Sequence, residues 1–173
     1  IYDLLEIFHN IANKFDIRYA MIFGTALGST RHGGLIPWDD DADVAIHQKD
    51  VTKLRTLKYL FMSEYDCVLD ETWCGGLQIY KTSSDKRTAD GKGLPLLDIF
   101  VIEDPSGSDE HMKFSCKHCQ KLYSTSLIKR VMWESKFKLH KFGHLDLYGF
   151  QDSKDYLNIY GKDWNDVAYR DFD

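Results

Sequence analysis

The sequence predicts an α/β or α+β protein, with one small mixed β-sheet flanked by helices in a single domain over residues 1–173. Three observations predict it. Apolar residues recur at helical spacing over the first positions of the chain. After that, β-branched and aromatic runs alternate with further helical patterns. The run LPLLDIFVI at 94–102 is apolar almost throughout, as a buried strand is. A chain of 173 residues, 43% hydrophobic and 28% charged, has ordinary soluble globular composition and suits one sizeable core.

The elements follow in order. Ile1, Leu4, Leu5, Phe8, Ile11, Ala12 and Phe15 make one apolar stripe and predict an amphipathic helix. IRYAMIF (17–23) predicts a strand. It runs into Gly24-Thr25, with Thr25 expected to cap a short helix over 26–31 that Gly33-Gly34 breaks. DVAIH (43–47) reads as a short buried strand, and Asp50 as the cap of a helix carrying Val51, Leu54, Leu57 and Phe61. Strands are expected at 67–69 and 77–80, joined by a turn at Gly75-Gly76. Residues 82–93 read as a polar loop, 94–102 as a strand and 103–122 as a long excursion. A helix is expected at 127–133, and HLDLYGF (144–150) reads as a last strand or an extended loop. DSKDYLNIYGKDW reads as a short helix capped at Asp152 or Ser153 and stopped at Gly161.

The net charge of −5 and pI of about 5.8 argue against a nucleic-acid polymer as partner. No apolar run approaches the ~20 residues of a membrane span. No secretory leader is visible, but the chain opens at Ile1 inside a helical pattern, so a missing leader or anchor says nothing about a longer protein. The cysteines Cys67, Cys74, Cys116 and Cys119 are too few for a disulfide scaffold.

The chemistry gathers in FGTALGSTRHGGLIPWDDDADVAI (23–46). On a strand, residues two apart share a face, so Asp41 and Asp43 project together, joined by Asp39 if the strand starts early. Carboxylates that close repel unless solvent screens them or a hard divalent cation binds among them. A calcium loop starting at Asp39 fails, because Val44 stands where glycine is needed and Asp50 where glutamate is. Asp98 is a third carboxylate, inside the apolar run 94–102, where it needs a metal, a loop to cap or an arginine partner. Gly24-Thr25, at a strand-to-helix turn, offers backbone N–H groups to a phosphate.

Together these blocks resemble the signature of the LicD family, which includes bacterial phosphocholine transferases, fukutin and fukutin-related protein. The matching residues are Gly24-Thr25, Leu27-Gly28, Arg31-His32, Ile36-Pro37-Trp38-Asp39 and Asp41/Asp43. LLDIFVIED resembles the family's second block, and DYLNIYGKDW its closing block. The resemblance implies a nucleotidyltransferase-like fold and a transferase that moves a phosphorylated alcohol, such as phosphocholine or ribitol phosphate. The donor would be CDP-linked, the acceptor a glycan hydroxyl and the released product CMP. It implies Asp41, Asp43 and Asp98 as catalytic ligands of Mg²⁺ or Mn²⁺, and Gly24, Thr25, Arg31 and Asp39 as donor contacts. Arg31 would clamp a phosphate oxygen or pair with the acidic run. His32 reads as a loop histidine, Trp38 as packed beneath the loop, and the closing block as a structural wall. A transferase using another nucleotide donor and a non-catalytic binding module of the same fold are the alternatives. The compartment stays open: Golgi lumen for a eukaryotic chain, cytoplasm for a bacterial or viral one. Cys116-x-x-Cys119 departs from the family pattern and resembles half of a structural zinc site. The other half would come from Cys67 and Cys74, or from His111 or His118, with a disulfide or free thiols as the alternatives.

Overall fold

The structure is a computed structural model, and it describes residues 1–104, 110–123 and 128–166. A central mixed sheet runs in the order β1-β2-β5-β4-β3, with β6 paired to β5. The strands are β1 (Tyr19–Met21), β2 (Asp41–His47), β3 (Cys67–Asp70), β4 (Gly76–Lys81), β5 (Leu96–Glu103) and β6 (Lys113–Phe114). Strands β7 (Lys138–Phe142) and β8 (Leu145–Gly149) form a separate antiparallel hairpin. The helices are α1 (Tyr2–Lys14), α2 (Phe23–His32), α3 (Gln48–Thr56), α4 (Lys58–Tyr65), α5 (Lys117–Leu122), α6 (Arg130–Glu134) and α7 (Ser153–Leu157). A 3-10 turn follows at Asn158–Tyr160. The expected mixed sheet flanked by helices is therefore present, and it agrees with a nucleotidyltransferase-like fold.

The first helix lies where its stripe predicts and buries Leu4, Leu5, Phe8, Ile11 and Ala12. Strand β5, with Leu97 to Ile102 buried, is the spine of the core. It pairs parallel with β2 and antiparallel with β4. A parallel neighbour needs a crossover, and here the chain between β2 and β5 supplies α3, α4, β3 and β4.

Some local expectations are corrected and others are met. The strand expected at 17–23 is shorter, because Phe23 already begins α2 at φ +44°. Thr25 therefore lies inside the first turn and is not its cap; Ile22 holds that position. Asp50 is not a cap either. The His47 ring accepts from Lys49 N–H at the start of α3, while Asp50 is buried in the first turn with Oδ2 unbonded. The helix expected from Asp50 breaks at Leu57 into α3 and α4. The excursion at 103–122 contains β6 and α5. HLDLYGF is a strand, β8, and its partner β7 has no counterpart in the expected elements. The helix expected at 127–133 is α6, and residue 127 lies outside the described residues. Asp152 caps α7 by accepting from Asp155 N–H (3.0 Å), and Gly161 ends the following turn.

Candidate active site

The site forms where β2 and β5 run side by side. Their register sets Asp43 opposite Asp98 and Asp41 opposite Leu96. Alternation along β2 sends Asp41 and Asp43 to one face while Ala42 and Val44 enter the core. Ligand oxygens of Asp41, Asp43 and Asp98 lie within 4.8 Å of one another, and Asp39, Asp40 and Asp41 form a second group of the same span. Asp41 belongs to both.

The N-terminus of α2 closes over this cluster. Tyr156 Oη accepts from Phe23 N–H (3.1 Å), fixing the left-handed residue that starts the helix. Asp43 N–H donates to Thr25 Oγ1 (2.7 Å), which ties α2 to β2. Gly24 N–H donates to the Asp43 carboxylate. A Cβ at Gly24 would stand 2.7 Å from Asp39 Oδ2 and 3.7 Å from Asp43 Oδ2. Only glycine lets the carboxylates approach the helix end so closely. Gly33, at φ +69°, ends α2 and turns the chain back toward Asp39.

Charge is concentrated here. Burial first, then Asp39, Asp98 and Asp40, push the Asp41 carboxyl up to about 7. Burial, Asp41, Asp98 and Asp39 hold Asp43 well above the usual carboxylate range, against the relief given by Gly24 N–H. Asp39 is raised by burial and by Asp40, and a side-chain hydrogen bond links it to Asp41. Asp98 is raised by burial and eased by Gln78 and Lys92.

That easing runs through a relay absent from the sequence reading. Gln78 Nε2 donates to Asp98 Oδ1 (2.8 Å), and Lys92 Nζ donates to Gln78 Oε1 (2.5 Å). Lys92 is buried and also pairs with Asp70 (3.4 Å) and Asp90 (3.6 Å). The partner of Asp98 is thus an amide backed by a buried ammonium, not an arginine. Two tyrosines also face the cluster. The Tyr123 and Tyr160 hydroxyls are raised first by burial, then by neighbours that include Asp41 and Asp43. Tyr160 carries a signal in the sequence through the closing block; Tyr123 carries none.

The other expected residues separate. Arg31 Nη1 donates to the Trp164 carbonyl (3.0 Å). It lines a cavity of about 160 Å³ with Leu27, Ile36, Trp38, Tyr160, Asp163 and Trp164. His32 is the last residue of α2 rather than a loop histidine. Trp38 is 42% exposed, not packed beneath the loop. Cys116 precedes α5 and Cys119 is buried within it.

Residues 16–92 match the family model described as the LicD/FKTN/FKRP nucleotidyltransferase domain. An uncharacterised protein of Rickettsia prowazekii is 26% identical over 177 residues, covering 97% of this chain and 56% of that protein. The lipopolysaccharide cholinephosphotransferase LicD of Haemophilus influenzae is 30% identical over 108 residues, covering 58% of this chain and 41% of its own length. The human ribitol 5-phosphate transferase FKRP is 40% identical over 55 residues, 32% of this chain and 10% of that protein. The chain spans about half the length of the first of these curated relatives. No described helix is long and apolar enough to cross a membrane. Gly24, Thr25, Arg31, Asp39, Asp41 and Asp43 all lie inside the matched segment, and with similarity to relatives of both transferase kinds the resemblance to the LicD family is shown.

Proposed function

We propose that the chain is a metal-dependent transferase that moves a phosphorylated alcohol from a CDP-linked donor to a glycan hydroxyl and releases CMP. The observation that carries this reading is the meeting of Asp41, Asp43 and Asp98 within 4.8 Å on two parallel strands, beneath the start of α2. Two relatives named for phosphorylated cargoes, choline phosphate and ribitol 5-phosphate, support the same class.

The residues fit a hard divalent cation. Three carboxylates with raised proton affinities, two of them partly buried and Asp98 buried, are an oxygen-only donor set with charge in excess. Asp41, Asp43 and Asp98 would hold Mg²⁺ or Mn²⁺, with Asp39 beside them. When bound, the ion offsets the charge of the donor pyrophosphate and of the leaving CMP. The remaining work falls to the chain. The acceptor oxygen forms a bond to the alcohol-bearing phosphorus, and the bond from that phosphorus to the CMP oxygen breaks. The acceptor proton passes to Asp98 or Asp43, the carboxylates that would act as general base beside the reacting oxygen. Gln78, backed by Lys92, holds Asp98 in one orientation. Tyr123 and Tyr160 stay protonated beside the carboxylates, so they serve as donors to phosphate oxygens. The cavity between Arg31, Trp38, Tyr160 and Trp164 has the aromatic walls and the cation that a nucleotide's base and phosphate need.

The test is calorimetric binding of CDP-choline, CDP-ribitol, CDP-glycerol, UDP- and GDP-sugars and ATP, with and without Mg²⁺ or Mn²⁺. Metal-dependent binding of one CDP-alcohol is expected, followed by CMP release with a glycan acceptor. Preference for a different nucleotide would overturn the donor assignment, and binding indifferent to metal would overturn the role of the carboxylates.

A further inference from the structure

We propose that Cys74, Cys116 and Cys119 form a zinc site of three thiolates and one exchangeable ligand, which pins the β3–β4 turn to α5. Their sulfurs lie within 4.8 Å of one another. Three sulfurs on zinc at ~2.3 Å stand ~3.8 Å apart in a tetrahedron, so the cluster already has nearly the required span. All three are free thiols. An odd number cannot be closed by disulfides, whereas a soft cation uses all of them. The fourth cysteine is elsewhere: Cys67 donates its S–H to the Tyr65 carbonyl (3.3 Å) and joins no such group, and neither His111 nor His118 does.

The backbone builds this meeting from two distant segments. Val101 on β5 holds both. Its N–H donates to the Gly75 carbonyl (3.3 Å), and its carbonyl accepts from Ser115 N–H (2.9 Å). Cys74 and Cys116 are the residues next to these two anchors. Gly76 sits at φ +152° with its Cα so close to β5 that a Cβ would meet the Ile99 carbonyl at 2.2 Å. The turn carrying Cys74 is therefore pressed onto the sheet beside the start of α5. Charge agrees with the geometry. Backbone N–H groups of Cys119 and His118 lower the Cys116 thiol, while burial and the neighbouring sulfurs push Cys119 up to about 12. Zinc would accommodate all three sulfurs as thiolates.

The site has a structural consequence for the carboxylates. Tyr123 directly follows α5, and its ring packs on Phe23 (4.9 Å) and Phe100 (5.8 Å). Zinc at the start of α5 would hold in place the wall from which Tyr123 faces Asp41, Asp43 and Asp98.

The experiment is metal content by plasma mass spectrometry on protein purified under reducing conditions without chelator. About one zinc per chain is expected, lost in Cys74→Ser, Cys116→Ser and Cys119→Ser and kept in Cys67→Ser. Circular dichroism checks that each variant folds. Should one not fold, cobalt(II) added to zinc-stripped wild type is expected to give sulfur-to-cobalt charge transfer and the visible bands of a four-coordinate ion. Wild type that holds no zinc after equimolar loading and gel filtration would overturn the site. So would an intact mass two hydrogens short, or zinc retention in a folded Cys74→Ser.

Discussion

Replacing Asp41 by Asn should make the metal-free protein more stable, and by more at neutral than at acid pH. Folding lifts the Asp41 carboxyl from 3.8 to about 7. Between those values the native state keeps a proton that the unfolded chain has lost. The native state then binds more protons, so stability falls as pH rises through this window and stays lowered above it. The full depth of the window is at most about 4 kcal/mol at ~1.4 kcal/mol per pH unit. Asp41 shares its titration with Asp39, Asp40 and Asp98, so roughly half of that, ~2 kcal/mol, is the expected gain near pH 7.5. Near pH 5 the gain should shrink to less than ~1 kcal/mol. For a chain of this length ~2 kcal/mol raises Tm by about 4–8 °C. Scanning calorimetry in EDTA at the two pH values measures it. Adding Mn²⁺ should reverse the order, stabilising wild type and leaving Asp41→Asn unmoved. A variant no more stable than wild type near pH 7.5, or a gain equal at both pH values, would refute the reasoning.

Other outcomes follow from the same geometry. Gly24→Ala places a methyl 2.7 Å from Asp39 Oδ2. It should keep the fold and weaken Mn²⁺ binding by about tenfold in a calorimetric titration; unchanged affinity would remove Asp39 from the site. Gln78→Leu strips Asp98 of its amide donor and Lys92 of its carbonyl. It should cost about 1–3 kcal/mol in urea unfolding, and an unchanged midpoint would show that the relay bears no energy. Tyr156→Phe removes the acceptor of the Phe23 N–H. A loss of about 1–3 kcal/mol is expected by the same assay, with weaker metal binding because Gly24 follows directly.

The carboxylates are legible in the sequence for a simple reason. Asp41 and Asp43 obey the period of two, and Asp98 interrupts an apolar strand, so each announces itself without knowledge of its neighbours. The sheet is legible where burial is strong, as at 94–102. Strand β7, KLHKF, is not: only Phe142 is buried, and pairing with β8 rather than side-chain pattern makes it a strand. Gly24-Thr25 carries a genuine signal with the wrong local reading. Thr25 resembles a cap, but Tyr156, far along the chain, lets the helix begin earlier at Phe23. Gln78 and Lys92 are invisible because one sits in a strand and the other in a polar loop, and only the fold joins them. The CxxC resembles half of a metal site; the sequence leaves Cys67, Cys74 and two histidines as choices for the other half, and the structure brings Cys74 beside it.

The parallel pairing of β2 with β5 also bears on how damage anywhere in the chain would be felt. Asp43 and Asp98 become neighbours only by closing the long crossover of α3, α4, β3 and β4 that lies between them. Such non-local contacts carry the entropy of closing a long loop. A lesion in that crossover, well away from any substrate, would loosen the β2–β5 register that sets the two carboxylates side by side. If the carboxylates hold a divalent ion as proposed, its affinity is a gauge of sheet closure, and it should fall in core variants whose helical content looks normal.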